Sequence, residues 1–127
     1  MTAVTLRFEG RLPNTALSPN ARRRGKVWDQ KKATDGERQV ALTDIRRELT
    51  DRAVPPLPWE LTWTVHYPTL KAPDWDAIPS MLKVWQDILA LECNRNDGPS
   101  EIQGGTVRVV LRSPDAPLMT LEVRSVR

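Results

Sequence analysis

The chain has 127 residues and a formal net charge of +3, with 28% charged and 39% hydrophobic residues. That make-up predicts one soluble folded domain with a single core. No apolar run nears the roughly 18 residues that span a bilayer, and Met1-Thr2-Ala3-Val4 lacks the basic-then-apolar start of a secretory signal, so neither a membrane protein nor an exported one is expected. One cysteine, Cys93, rules out an internal disulfide and multi-cysteine zinc sites, and one histidine, His66, leaves a His-based metal site or triad little to build on.

Val4, Leu6 and Phe8 alternate with Thr5, Arg7 and Glu9, the period of two that predicts a strand with one buried face. Gly10 to Pro19, with its glycine, prolines, Asn and Ser, reads as an irregular connection. It leads into a dense basic segment, Arg22, Arg23, Arg24, Lys26, Lys31 and Lys32, with Gly25 interrupting any helix there. A solvated loop and a loop that grips phosphates fit this segment equally well. From about Gln30 a helix is predicted. Leu42, Ile45 and Leu49 recur at helical spacing beside Ala41 and Ala53, and Arg38, Asp44, Arg46, Arg47 and Glu48 take the other faces. Pro55-Pro56 should stop this helix near Ala53, and its thin apolar stripe suits covering one side of a sheet.

Trp59 to Tyr67 alternates most cleanly, with Leu61, Trp63, Val65 and Tyr67 on one face and Glu60, Thr62, Thr64 and His66 on the other. No partner for His66 is evident, so it is expected to be exposed or bonded to backbone. Ile78, Met81, Leu82, Trp85, Ile88 and Leu89 predict a helix from Ala77 to Glu92, with Ser80, Lys83 and Asp87 opposite. Asp76 is placed to cap it and Pro79 to occupy its first turn. Beyond a turn-rich loop from Asn94 to Gly105, two alternating runs around Val107-Val109-Leu111 and Met119-Leu121-Val123 predict closing strands paired as an antiparallel hairpin. The order strand-helix-strand-helix-strand-strand implies an α+β fold: a two-layer single domain over residues 1–127, both helices packed on one face of a small mixed sheet.

Chemistry concentrates between Pro73 and Asp97. Asp74 and Asp76 lie two residues apart, and in an extended turn they would project to the same side. Asp97 follows the helix and joins them only if its loop folds back or another subunit supplies part of the site. Three converging carboxylates would suit Mg²⁺ and metal-assisted phosphodiester hydrolysis, with Lys83 near the developing charge. Each residue also has an ordinary reading: Asp74 in a turn after proline, Asp76 as a helix cap, Asp97 in an Asp-Gly turn, and Lys83 as the i+4 partner of Asp87.

Ser18-Pro19-Asn20 ahead of a basic loop, Pro73-Asp74-Trp75-Asp76 opening a helix with Lys83 on its polar face, and Asn96-Asp97 ahead of Ile102 together resemble the RusA family of Holliday junction resolvases, particularly its phage-borne members. The resemblance runs from about Leu17 to Leu111. It implies a homodimeric, Mg²⁺-dependent endodeoxyribonuclease, Mn²⁺ being a possible substitute, that cuts four-way DNA junctions by paired nicks in recombination and repair. It implies the cytoplasm of a bacterium or phage-infected host, metal binding by Asp74, Asp76 and Asp97, and catalytic assistance from Lys83. Asn20, Arg22, Arg23, Arg24, Lys26, Lys31 and Lys32 would contact DNA phosphates. Two departures stand out: Ala77 replaces the usual asparagine after the second aspartate, and Asn96-Asp97 replaces a frequent Asp-Asp pair. Both thin the groups that orient ligands and motivate an alternative, a catalytically impaired protein that still binds junctions. A third reading is a small interaction domain with no nucleic-acid role.

Overall fold

Among the described residues, alternating and helical hydrophobic patterns become four strands and two long helices: β1 (Ala3–Glu9), α1 (Val27–Leu49), β2 (Trp59–His66), α2 (Ile78–Glu92), β3 (Ile102–Val110) and β4 (Leu118–Ser125). The computed structural model describes residues 2–18, 27–93 and 101–126, the first four residues of α1 by backbone alone. The expected α+β architecture is present, with the helices packed on a mixed sheet. No helix among the described residues is long and apolar enough to cross a membrane.

The sheet order β1-β4-β2-β3 corrects the expected closing hairpin. Strand β4 pairs antiparallel with both β1 and β2, while β3 pairs parallel with β2. The last two strands do run in opposite directions, but β2 lies between them. A linker of a few residues suffices to step over one strand, since neighbouring strands lie only about 4.8 Å apart. The most thoroughly buried strand, β2, takes an interior position in the sheet and meets partners on both edges.

Strand register stacks the inward residues in rows: Val4, Val123 and Leu61; Leu6, Leu121 and Trp63; Phe8, Met119 and Val65. Against them lie Ala41 and Ile45 of α1 and Ile78, Met81, Leu82, Trp85 and Leu89 of α2, all fully buried or nearly so. Phe8 and Trp63 both pack on Trp85, at ring-centroid distances of 4.8 and 6.4 Å, the second pair edge to face. Tilted and edge-on contacts of this kind add to the area that each ring buries. The other face of the sheet is polar, with Thr5, Glu122, Thr62 and Thr106 in one row and Arg7, Thr120, Thr64 and Arg108 in the next. Gly105 sits tightly against β2: a Cβ there would lie 2.9 Å from the Leu61 carbonyl oxygen, so only glycine fits without a shift.

Helix α1 ends at Leu49, short of the expected Ala53. The cause is local, because Thr50 Oγ1 donates to the Arg46 carbonyl and Asp51 adopts the left-handed conformation, φ 61°, before the prolines are reached. Asp44, expected on a polar face, is fully buried. Its carboxylate accepts from Arg11 at 2.7 and 3.4 Å and lies 3.3 Å from the Arg47 guanidinium, tying the segment after β1 to α1. Arg11→Ala should destabilise the fold by about 2–3 kcal/mol, at or below the usual range for an orphaned buried charge because Arg47 stays nearby. Arg47→Ala, which removes an exposed partner, should cost under about 1 kcal/mol. Equal losses in urea titrations would contradict this ranking.

Candidate metal and nucleic-acid site

Strand β2 carries the chain to the end of the sheet, where Tyr67 N–H donates to the Val110 carbonyl and Ser113 N–H to the Tyr67 carbonyl. Here His66 finds the partner that the sequence does not reveal: its Nδ1 lies 2.9 Å from Ser113 Oγ, which also accepts from Asp115 N–H at 3.3 Å. The pair pins the linker between β3 and β4 to the end of β2. Tyr67 is buried, its hydroxyl has no partner among the described residues, and burial pushes its phenol up.

The segment then turns into α2 through a short 3-10 turn, Trp75–Ala77. Asp74 precedes this turn in an extended conformation, φ −56° and ψ 140°, and its carbonyl accepts from Ala77 N–H at 2.9 Å. The extended turn expected between Asp74 and Asp76 is therefore not formed. Asp74 is extended whereas Asp76 lies inside the 3-10 turn, so the two do not share one extended segment and the period-two argument for a common face does not apply. Both carboxylates remain exposed. Asp76 does not cap α2, because the N-cap position falls on Ala77, which offers no side-chain bond. Pro79 does sit in the first turn, as expected.

Lys83 lies on the exposed side of α2 and pairs with Asp87 at 2.9 Å, the i+4 contact among its ordinary readings. It stands two turns beyond Asp76, about 10 Å along the axis. Ser80, half-buried one turn beyond Asp76, is the nearer polar side chain on that face. Trp75, given no role in the sequence reading, is 60% exposed, and its Nε1 donates to the Val107 carbonyl on β3 at 2.9 Å. An indole between two acids, outside the apolar stripe, was the signal that could have singled it out.

Asp97 lies outside the described residues, as do Asn20, Arg22, Arg23, Arg24 and Lys26. The residues flanking Asp97's segment are placed: Cys93 caps the carboxyl end of α2, and the Glu101 carbonyl accepts from Trp59 N–H at the start of β2. Both stand at the far end of α2 from Asp76, and fifteen helical residues span about 22 Å. Among the described residues no three of His, Cys, Asp and Glu come together in a way that would hold a metal ion.

Lys31 and Lys32 are exposed on the first turns of α1 and line a surface recess with Asp35, Gly36 and Gln39. Two contacts orient α1 relative to α2. Arg46 pairs with Glu92 at 2.5 Å near the carboxyl ends of the helices, and Glu37 lies beside Trp85 further up both. The helices thus run in the same direction. Strands β1, β2 and β3 are parallel to one another, since β4 is antiparallel to β1 and β2. The amino ends of both helices and the carboxyl end of β2 therefore lie together, and this end carries Asp74, Asp76, Lys31 and Lys32.

Beneath the two lysines, Glu37 is buried between helices. Burial is the main influence and pushes its carboxyl up from the ordinary 4.5, while Asn14, the Arg11 charge and Trp85 draw it partly back. Trp85 Nε1 makes no hydrogen bond of ordinary geometry among the described residues, so its influence is that of a nearby dipole. No family model matches the chain, and no curated protein does.

A carboxyl raised in the folded state favours folding in its protonated form; that contribution is complete below the unfolded pKa and is lost as pH rises through the folded one. Glu37→Gln should therefore raise Tm at pH 7 and leave it nearly unchanged at pH 4. A lower Tm at pH 7 would mean that the ionised carboxylate contributes net stability.

Proposed function

We propose that this protein is a Mg²⁺-dependent endonuclease of the RusA type that nicks four-way DNA junctions as a homodimer. The observation that carries the reading is the shared end of the fold: the exposed acids Asp74 and Asp76 stand at the same end as Lys31 and Lys32. A cation between a carboxylate pair and a phosphodiester, with lysines to hold the flanking phosphates, is an arrangement that this end can supply. Carboxylate oxygens are the hard donors that Mg²⁺ takes, and two exposed carboxylates leave positions for water and phosphate. Bound there, the ion would polarise the phosphate and activate water for attack.

Asp74 and Asp76 hold the metal in this reading, and Lys31 and Lys32 position the backbone of the substrate. Lys83 assists after exchanging its bond to Asp87 for one to the substrate. Asp97 supplies the third carboxylate. Because its flanking residues stand at the opposite end of α2, the arrangement that best suits the topology is one in which Asp97 serves the site of a second copy. The alternative, a junction-binding protein with impaired catalysis, is favoured by the engagement of Lys83 with Asp87, beside the departures at Ala77 and Asn96.

Asp76→Asn, at an exposed position, should leave Tm and junction binding unchanged and abolish Mg²⁺-dependent nicking; nicking at the wild-type rate would remove Asp76 from the site. Wild-type binding without nicking under Mg²⁺ or Mn²⁺ would select the impaired alternative. Mixing Asp76→Asn with Asp97→Asn protein should restore part of the activity, since a mixed dimer would hold one complete shared site. No recovery on mixing would place all three acids within one chain.

A further inference from the structure

Beside the Asp74–Asp76 turn, a groove of about 610 Å³ runs between α2 and the outer edge of β3, within the range of small-ligand sites. Pro79 and Gln86, two turns apart on α2, form one wall; Gln103 and the side-chain-free Gly105 form the other. The ring of Trp63 lies in its floor, and Trp75 lines it where the Nε1–Val107 bond bridges helix and strand. No ionisable side chain lines it among the described residues, although acids flank Trp75 on both sides in the sequence.

This lining selects among occupants. Without a cation it has nothing to hold a phosphate. A peptide strand adding to the outer edge of β3 would need the Val107 carbonyl, which Trp75 already occupies, and would meet the register shift where Glu60 pairs with Gly104 rather than Gln103. Such covering and bulging are how sheets block added strands. A neutral, flat group with hydrogen-bonding edges fits better: exposed Trp75 offers a ring to stack on, and Gln86 and Gln103 offer amides. Nucleobases have this chemistry. Aromatic stacking holds unpaired bases whatever their identity, and glutamine amides read base edges.

We propose that the groove receives one unstacked base of the branched DNA, adjacent to the phosphate at Asp74 and Asp76, with Trp75 stacking on it and Gln86 and Gln103 reading its edge. The inference rests on the DNA-cleaving reading of this end and adds to it the source of a base preference at the cut. Trp75 sets affinity, and the two glutamines set which base is preferred.

The test uses the full-length protein with synthetic four-way junctions carrying each base, or an abasic site, at the nucleotide beside the cut, under Ca²⁺ for binding and Mg²⁺ for nicking. Trp75→Ala should weaken junction binding roughly tenfold, and Trp75→Phe, which keeps a stacking ring, by much less. On the abasic junction wild type and Trp75→Ala should bind alike. Gln86→Ala with Gln103→Ala should flatten the preference among the four bases and leave affinity for the least favoured one unchanged. Junction binding and nicking by wild type, with Trp75→Ala and the glutamine variant indistinguishable from it, would overturn the groove proposal while sparing the nuclease reading. No junction binding by wild type would defeat both. A Trp75→Ala protein with normal junction binding but altered sedimentation would overturn the proposal in favour of a protein occupant.

Discussion

Strands β2 and β3 run parallel, and a parallel pair cannot be closed by a tight turn; the chain must cross the face of the sheet to come back to the starting end. Helix α2 is that crossing. Its apolar stripe, from Ile78 to Leu89, covers the inner face of β2, and its length sets the distance between the turn that enters it and the segment that leaves it. Every placement discussed above follows. Asp74 and Asp76 fall at the carboxyl end of β2, where open α/β sheets commonly bind ligands, and the residues flanking Asp97 fall at the other.

The same constraint separates what was legible in the sequence from what was not. The strands and helices were readable because their patterns are local: Leu61-Trp63-Val65 alternates and Ile78-Met81-Leu82-Trp85 repeats at helical spacing whatever lies nearby. Pairing is not local. The runs around Val107 and Leu121 show that two strands exist, but nothing in either says that β2 will lie between them. Asp74 and Asp76 were correctly placed at the entrance of α2, yet their relation depends on whether three residues form an extended turn or a 3-10 turn, a difference of small energies that composition does not reveal. The basic residues from Arg22 to Lys26 and Asp97 fall outside the described residues.

Buried polar groups were the least legible of all. Asp44 looks like any helical surface acid until Arg11, thirty-three residues earlier, is seen to meet it. Glu37 and the His66–Ser113 pair are similar cases, each satisfied or strained by groups distant in sequence. All three stand where a connection joins the helices or the sheet: Asp44 and Glu37 beside the segment after β1, His66 beside the linker before β4. Polar contacts hold the connections in this protein, and apolar rows hold the layers.

Gly105 brings the two together. Its missing side chain lets β3 approach the Leu61 carbonyl, and the same missing side chain opens one wall of the groove beside Trp75. Stability and groove shape are thus written at a single position. Divergence or engineering at 105 cannot alter one without the other, and attempts to reshape this groove have more freedom from the α2 wall, at Gln86, than from the strand.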